Sequence, residues 1–382
     1  MSIRILADQD IVAVDAAFSQ LGELHKQPGR SICREDLRTM DAVVVRSTTR
    51  VDADLLENTP VKFVATATSG TDHVDVEYLQ RRGIGFAHSK GCNANAVVEY
   101  CITALAELAC QGRFDPATAT VGIVGGGQVG GRLARRLVQL GLPVVVNDPL
   151  LSTEQEAAFA AAAVTLVDLE TALRCRVISL HVPLTESGRH ATRHMLDARR
   201  LGALAPATVL INASRGGVVD NLALKNLLQQ GQVLHAVLDV WEREPTPDPE
   251  LVQRVSLATP HIAGYSQQAK LAATWLTAAA LAEHFSLSLL KPDSLGRRLA
   301  DLEGGTVPPT DPWCAAVLRQ VLDLPDLTRA YKATANTANG SAFDGFRKTL
   351  QNRQEFPAFR INGLSATAAQ RDLLRVLGFT LA

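Results

Sequence analysis

No excess of either charge marks this sequence: 38 Lys and Arg stand against 39 Asp and Glu. That balance leaves no electrostatic footprint for nucleic acid or for an anionic membrane surface, so a small-molecule ligand is the default expectation. Long apolar runs are missing too. The longest, Ala157 to Val167 and Leu271 to Ala282, fall short of the roughly 18 residues that a membrane-crossing helix needs. The six cysteines, at positions 33, 92, 101, 110, 175 and 314, form no CxxC pair. Reduced thiols in the cytoplasm and no bound metal are the plain expectation. The opening stretch Met1 to Asp8 reads as a first strand and not as a signal peptide. No internal repeat is evident, and the Ala-rich patch Ala157 to Ala163 reads as helix surface.

What is present is alternation. At 382 residues the chain is expected to hold two or three domains. Short apolar runs alternate with helical patterns almost throughout, which predicts parallel sheets covered by helices. The first series runs from Ile3 through Ala42 to Arg46 and Lys62 to Thr66 to Ile84 to Ala87, and Ala94 to Cys110 reads as a helix leading out of it. The second runs from Thr120 to Val124 through Val144, Val177, Val209 and Ala236 to Val255 to Ala258, before a helical stretch at Gln267 to Phe285. The expected fold is α/β, with residues 94–261 forming a dinucleotide domain inserted in a domain made of 1–93 and 262–289. Residues 290–382 are expected to form a small third domain of α+β type. Its periodic stretches, Ala315 to Leu322 and Leu373 to Phe379, look too short for a core of their own, so burial against a second subunit is expected.

After the run Thr120 to Val124 comes Gly125-Gly126-Gly127-Gln128-Val129-Gly130, a G-x-G-x-x-G. Val129, Leu133, Leu137 and Leu140 then recur at helical spacing and Gly141 marks a stop. A strand, a glycine turn and a helix in that order form a cradle for a pyrophosphate. The next apolar run, Val144-Val145-Val146, ends at Asn147-Asp148, where a carboxylate binds the hydroxyls of an adenosine ribose. No Arg or Lys follows Asp148 at once, which favours NAD over NADP.

Three further residues each follow an apolar run: Arg215 in Asn-Ala-Ser-Arg-Gly-Gly, Glu244 in Asp-Val-Trp-Glu-Arg-Glu-Pro, and His261 in Thr-Pro-His-Ile-Ala-Gly-Tyr. Oxidation of a 2-hydroxy acid asks for a cation on the carboxylate, a base for the hydroxyl proton and a partner for the base. Arg offers a planar bidentate fork, His titrates near neutrality, and a carboxylate holds one imidazole nitrogen. Any one of the three alone reads equally as a surface ion pair or a satisfied buried histidine.

The fingerprint, Asp148, His181-Val182-Pro183-Leu184, Asn212 to Gly216 and Pro260 to Gly264 resemble the D-2-hydroxyacid dehydrogenases. Arg46 to Thr49, Thr66 to Asp75, Gly91 to Ala94, Val97 to Tyr100 and the C-terminal Phe343 to Lys348 narrow the resemblance to members that oxidise 4-phosphoerythronate at C2 in pyridoxal 5′-phosphate biosynthesis. The resemblance implies NAD as cofactor and a homodimer joined through the extra C-terminal domain. It also implies a Rossmann-type domain inserted in a flavodoxin-like one, with the active site in the cleft between them. It places cofactor contacts at Gln128, Val129, Asp148, Asp239 and Gly264, beside the motif glycines Gly125, Gly127 and Gly130. Substrate contacts fall at Ser47, Thr68 and Tyr265, and catalysis at Arg215, Glu244 and His261. Two positions depart from the pattern: Ser214 stands where relatives usually carry Cys, and Leu350 where they carry Tyr.

Read from the residues alone, Ser47 and Thr68 end strand runs, where a turn hydrogen bond competes with an anion site that Arg46 would strengthen. Tyr265 either closes the pocket or packs on the core. Arg347 and Lys348 read as a solvated charged face, the alternative being contacts to a substrate phosphate at a partner's cleft. His73 and His181 read as structural. Two other functions fit parts of the pattern. One is another 2-hydroxyacid dehydrogenase such as a 3-phosphoglycerate dehydrogenase, and the other is a regulator of corepressor type that binds NAD without turnover.

Overall fold

A computed structural model describes residues 2–290, 299–335, 340–350 and 352–382. The chain divides into two compact units, Met1–Asn93 with Gln267–Arg297 and Ala94–Ser266 with Arg298–Ala382. The chain therefore leaves the first unit after Asn93 and re-enters it at Gln267.

The first unit is a parallel sheet of β1 (Ile3–Asp8), β2 (Gly22–Gln27), β3 (Ala42–Val45), β4 (Phe63–Thr66) and β5 (Gly85–His88). Its order, β2-β1-β3-β4-β5, is that of a flavodoxin-like doubly wound sheet. Every residue of β3 and β4 is buried, because a parallel strand covered on both faces needs a continuous apolar run. Val45 pairs with Thr66, so Ser47 and Thr68 leave neighbouring strands at the same edge. The helix Gln267–His284 packs its Ala278, Leu281 and Ala282 into this unit's core.

The second unit holds β6 (Val121–Val124), β7 (Val144–Asn147), β8 (Thr165–Leu166), β9 (Val177–Leu180), β10 (Thr208–Asn212), β11 (Leu234–Leu238) and β12 (Leu257–Ala258). Their order, β12-β11-β10-β9-β6-β7-β8, is a Rossmann sheet whose winding reverses beside β6. The register is even at the carboxyl edge: Val124 pairs with Asn147 and Leu180, and Asn212 with Leu180 and Leu238. Leu238 in turn pairs with Ala258. The turns after β6, β10, β11 and β12 thus emerge from one edge, where α/β sheets place their ligands.

The helix Ala94–Cys110 is buried on almost every face, as a helix apolar all round must be. Three further strands, β13 (Ala300–Glu303), β14 (Phe359–Asn362) and β15 (Thr380–Leu381), pair in parallel in that order. Here the structure departs from an expectation. Trp313, Leu318, Phe356, Leu374 and Phe379 belong to the same core as Tyr100, Leu105 and Leu137. The short apolar stretches of the C-terminal segment are therefore buried inside their own unit, without needing a second subunit. Leu350, one of the two departures from the family pattern, packs on that core.

Candidate active site

The first and third glycines of the fingerprint are required by the backbone. Gly125 has a φ of 95°, and a Cβ there would lie 2.5 Å from the His181 carbonyl oxygen. A Cβ on Gly130 would lie 1.9 Å from the Gly125 carbonyl oxygen, which enforces the close packing of helix on turn. Gly127 is different. A Cβ on it would meet nothing within 4 Å, so this glycine leaves open the approach that a pyrophosphate makes to the backbone. The helix Gly130–Gln139 starts at Val129 with no side-chain cap, and Gln128 stands exposed beside it, accepting from Arg132 Nη2 at 3.3 Å. These features fit a dinucleotide.

Asp148 sits just beyond β7, half-buried, and its Oδ2 accepts from the Gly126 N–H at 2.8 Å. Its Oδ1 accepts from Leu150 N at 3.0 Å. The acid therefore holds the glycine turn in place. His181, at the end of β9, shares a hydrogen bond of 2.8 Å with Ser179 Oγ through Nε2. Burial pushes its imidazole down to about 3, so it stays neutral in a structural place. His73 likewise bonds Thr66 Oγ1 at 2.9 Å, and burial lowers it.

Arg215 follows β10 in a turn built by Asn212. The Asn212 Oδ1 accepts from Ser214 N at 3.1 Å and Ser214 Oγ at 2.8 Å, and its Nδ2 donates to the Arg215 carbonyl at 3.0 Å. Ser214 thus has a definite partner at the position where the resemblance leads one to expect Cys. Arg215 itself is half-buried and donates from Nη1 to the Ser214 carbonyl at 2.8 Å. A Cβ on Gly216 would lie 1.9 Å from the Trp241 carbonyl carbon and 2.0 Å from its oxygen. Only glycine lets the Arg215 turn touch the turn that carries Glu244. Asn221 then stitches the two together, donating to the Gly216 carbonyl at 3.3 Å and accepting from Glu242 N at 3.1 Å. Sequence spacing offered no signal for Asn221 or Glu242, since their roles exist only across the sheet.

Glu244 and His261 meet. Glu244 Oε2 lies 2.7 Å from His261 Nδ1, while Oε1 accepts from Trp241 N at 2.8 Å. His261 has a φ of 55°, a left-handed backbone that a histidine keeps only when its surroundings hold it. Asp239 supplies part of that hold. It is 1% exposed, and it accepts from Thr259 Oγ1 at 2.7 Å, Ile262 N at 2.7 Å and Ala263 N at 2.9 Å. Burial pushes the Asp239 carboxyl up, and the nearby His261, the Thr259 hydroxyl and the two amides pull it back. Gly264 follows directly on this held segment.

Ser47 is exposed at the end of β3. The Thr68 hydroxyl donates to the Gly70 carbonyl at 2.8 Å, which is the turn bond weighed above. Arg46 does not stand ready for an anion, because Asp8 and Asp10 occupy its guanidinium at 2.7 to 3.1 Å. Tyr265 is half-buried, with the Arg347 guanidinium 5.3 Å from its ring centre. Arg347 is therefore not the solvated charge expected of it; its Nε is buried. Lys348 is exposed.

His194, Asp220 and Glu242 gather their ligand-type atoms within 4.8 Å of one another. Each already serves the fold. His194 Nε2 faces Glu242 Oε1 at 2.6 Å, and Asp220 caps the helix Asn221–Gln229 through Ala223 N at 2.9 Å. Among the described residues no helix is long and apolar enough to cross a membrane.

A Rossmann sheet whose glycine turn and Glu-His pair share one edge defines a dehydrogenase class, and the comparisons agree. Residues 107–263 match the NAD binding domain of the D-isomer specific 2-hydroxyacid dehydrogenases. The erythronate-4-phosphate dehydrogenase of Chromohalobacter salexigens is 42% identical over 390 residues, covering 99% of this chain and 98% of that one. The one from Azotobacter vinelandii is 43% identical over 384 residues, covering 98% and 99%. Among solved structures, the NAD+-bound 3-phosphoglycerate dehydrogenase of Entamoeba histolytica superposes with a TM-score of 0.63 at 23% identity, covering 75% of this chain and 96% of that one. That likeness is one of fold. The chain belongs to the erythronate-4-phosphate dehydrogenases, within the D-isomer specific 2-hydroxyacid dehydrogenase family.

Proposed function

We propose that this chain oxidises 4-phospho-D-erythronate to (R)-3-hydroxy-2-oxo-4-phosphobutanoate with NAD, in pyridoxal 5′-phosphate biosynthesis, as a cytoplasmic homodimer. The observation that carries the reading is the 2.7 Å bond between Glu244 and His261, set on the same sheet edge as the glycine turn in a chain whose relatives bear that activity in their name. NAD, when bound, would supply the acceptor for the hydride that leaves C2. Gly125, Gly127, Gln128, Val129 and Gly130 would receive its pyrophosphate and Asp148 its ribose, with Gly264 and Asp239 as further cofactor contacts, Asp239 holding the segment that precedes Gly264.

His261 does the proton work. With Nδ1 donating to Glu244, Nε2 offers its lone pair to the C2 hydroxyl and takes the proton as the carbonyl forms. Glu244 fixes that tautomer and steadies the charge the ring acquires. Arg215 holds the substrate carboxylate in a two-pronged grip, so that C2 and its hydroxyl face the base. Ser47, Thr68 and Tyr265 are the further substrate contacts. The six free cysteines support a reducing compartment.

The test is a direct assay of purified protein on 4-phosphoerythronate and on 3-phosphoglycerate, each with NAD and with NADP. We expect oxidation of the first substrate with NAD. Equal kcat/KM on both substrates would return the protein to a broader dehydrogenase role, and no turnover with bound NAD would favour a regulator. In the same assay, Asp148→Ala is expected to narrow the preference for NAD over NADP, because the carboxylate that repels a 2′-phosphate is gone. It also loosens the Gly126 amide, so its KM for NAD should rise. An unchanged cofactor ratio would remove Asp148 from the ribose site. Light scattering at micromolar concentration is expected to give twice the 40.9 kDa chain mass; a monomer there would refute the dimer.

A further inference from the structure

We propose that Arg353 is a positioning residue for the oxidation described above, gripping from one side the segment that carries His261 while Asp239 grips it from the other. The Arg353 side chain is 1% exposed. Its Nη1 donates to the Ala263 carbonyl at 3.0 Å and reaches the Ile262 carbonyl at 3.4 Å, and its Nη2 donates to the Ala96 carbonyl at 3.0 Å. Asp239 holds the N–H groups of the same two residues, Ile262 and Ala263. The N–H and the C=O of both residues beyond His261 are thus held by a side chain.

Several features mark this as positioning beyond the buried ion pair that Arg353 makes with Glu99 at 3.9 Å. The shorter contacts of the guanidinium go to carbonyls. Ile262 and Ala263 are 0% and 1% exposed, leaving no water to replace Arg353. The residue they follow holds a left-handed φ, a conformation that persists only where the surroundings over-determine it. The fork geometry matters: an ammonium on a flexible stem cannot span the Ala96 and Ala263 carbonyls as a planar guanidinium does. Glu355, two residues on, accepts from Ser266 Oγ at 2.7 Å, so the C-terminal segment is fastened at the far end of the His261 turn as well. Neither residue needs to touch substrate.

Arg353→Lys tests this on the full chain. If it positions His261, kcat on 4-phosphoerythronate falls about 10- to 100-fold while KM for the hydroxy acid, set by Arg215, holds, and amide exchange quickens within residues 259–266 only. An unchanged kcat overturns the proposal. So does a loss spread equally over kcat, both KM values and exchange throughout the second unit, which is the mark of a purely structural residue. Should Arg353→Lys not accumulate as folded protein, Arg353→Gln decides, since its amide reaches at most one of the carbonyls that the guanidinium spans: a loss confined to kcat supports the proposal and an unaltered kcat overturns it. This inference rests on the proposed function, and the two fail separately. An unmodified chain inactive on 4-phosphoerythronate sinks the function, while the exchange measurement on Arg353→Lys still judges the clamp.

Discussion

Replacing His261 with Ala is expected to lower kcat by about 10²- to 10⁴-fold, the usual worth of a positioned general base, while NAD still binds. The imidazole takes no part in the glycine turn, whose contacts run through Gly125, Gly130 and Asp148. Fluorescence titration of the nucleotide and steady-state turnover separate the two effects. Glu244→Gln should follow in the same direction with about a 10- to 100-fold loss, the range for a group that orients a working imidazole. Its Oε1 also caps Trp241 N, a bond the Gln oxygen can keep, so its melting temperature should move little. Full turnover in His261→Ala would place the base elsewhere.

The second large effect comes from a residue with no side chain. Gly216→Ala puts a methyl 1.9 Å from the Trp241 carbonyl carbon and 2.5 Å from Glu242 N. Both contacts are backbone, so neither can swing away. Overpacking of this kind destabilises by about 1 to 3 kcal/mol, and the relief must come from moving the Arg215 turn or the Glu244 turn. Thermal melting together with kcat/KM checks it, with Gly202→Ala as control because a Cβ there meets nothing within 4 Å. A Gly216→Ala protein with the melting point and activity of the unmodified chain would mean that the two turns are not tightly apposed.

The sequence made the sheets legible because two-sided burial writes itself as short valine-rich runs, and Ala42–Val45 and Val177–Leu180 are buried at every residue. The Arg215, Glu244 and His261 turns were legible for the same reason: each follows such a run. What stayed hidden depends on contacts between distant parts of the chain. Arg46 looked like a free cation until Asp8 and Asp10 took its guanidinium. Arg347 looked solvated until Tyr265 came beneath it. Asn221 and Arg353 carry no local period or motif, and their value lies in which carbonyls they reach. The short C-terminal apolar stretches misled because length alone cannot tell a weak independent core from a share in a larger one.

The apposition of Gly216 and Trp241 also governs how such an enzyme can be re-engineered. Loop grafting assumes that one turn can be exchanged while its neighbours wait unchanged. Here the Asn212 to Val219 turn and the Trp241 to Glu244 turn share a backbone contact too close for any Cβ, and Asn221 crosses between them. A donor sequence brought in at one turn carries its own spacing and meets a host turn cut to another. The smallest segment that carries both turns and their apposition therefore runs from Asn212 to Glu244, with the strand Leu234–Leu238 carried along as its frame, and the donor must still supply a carboxylate to meet His261.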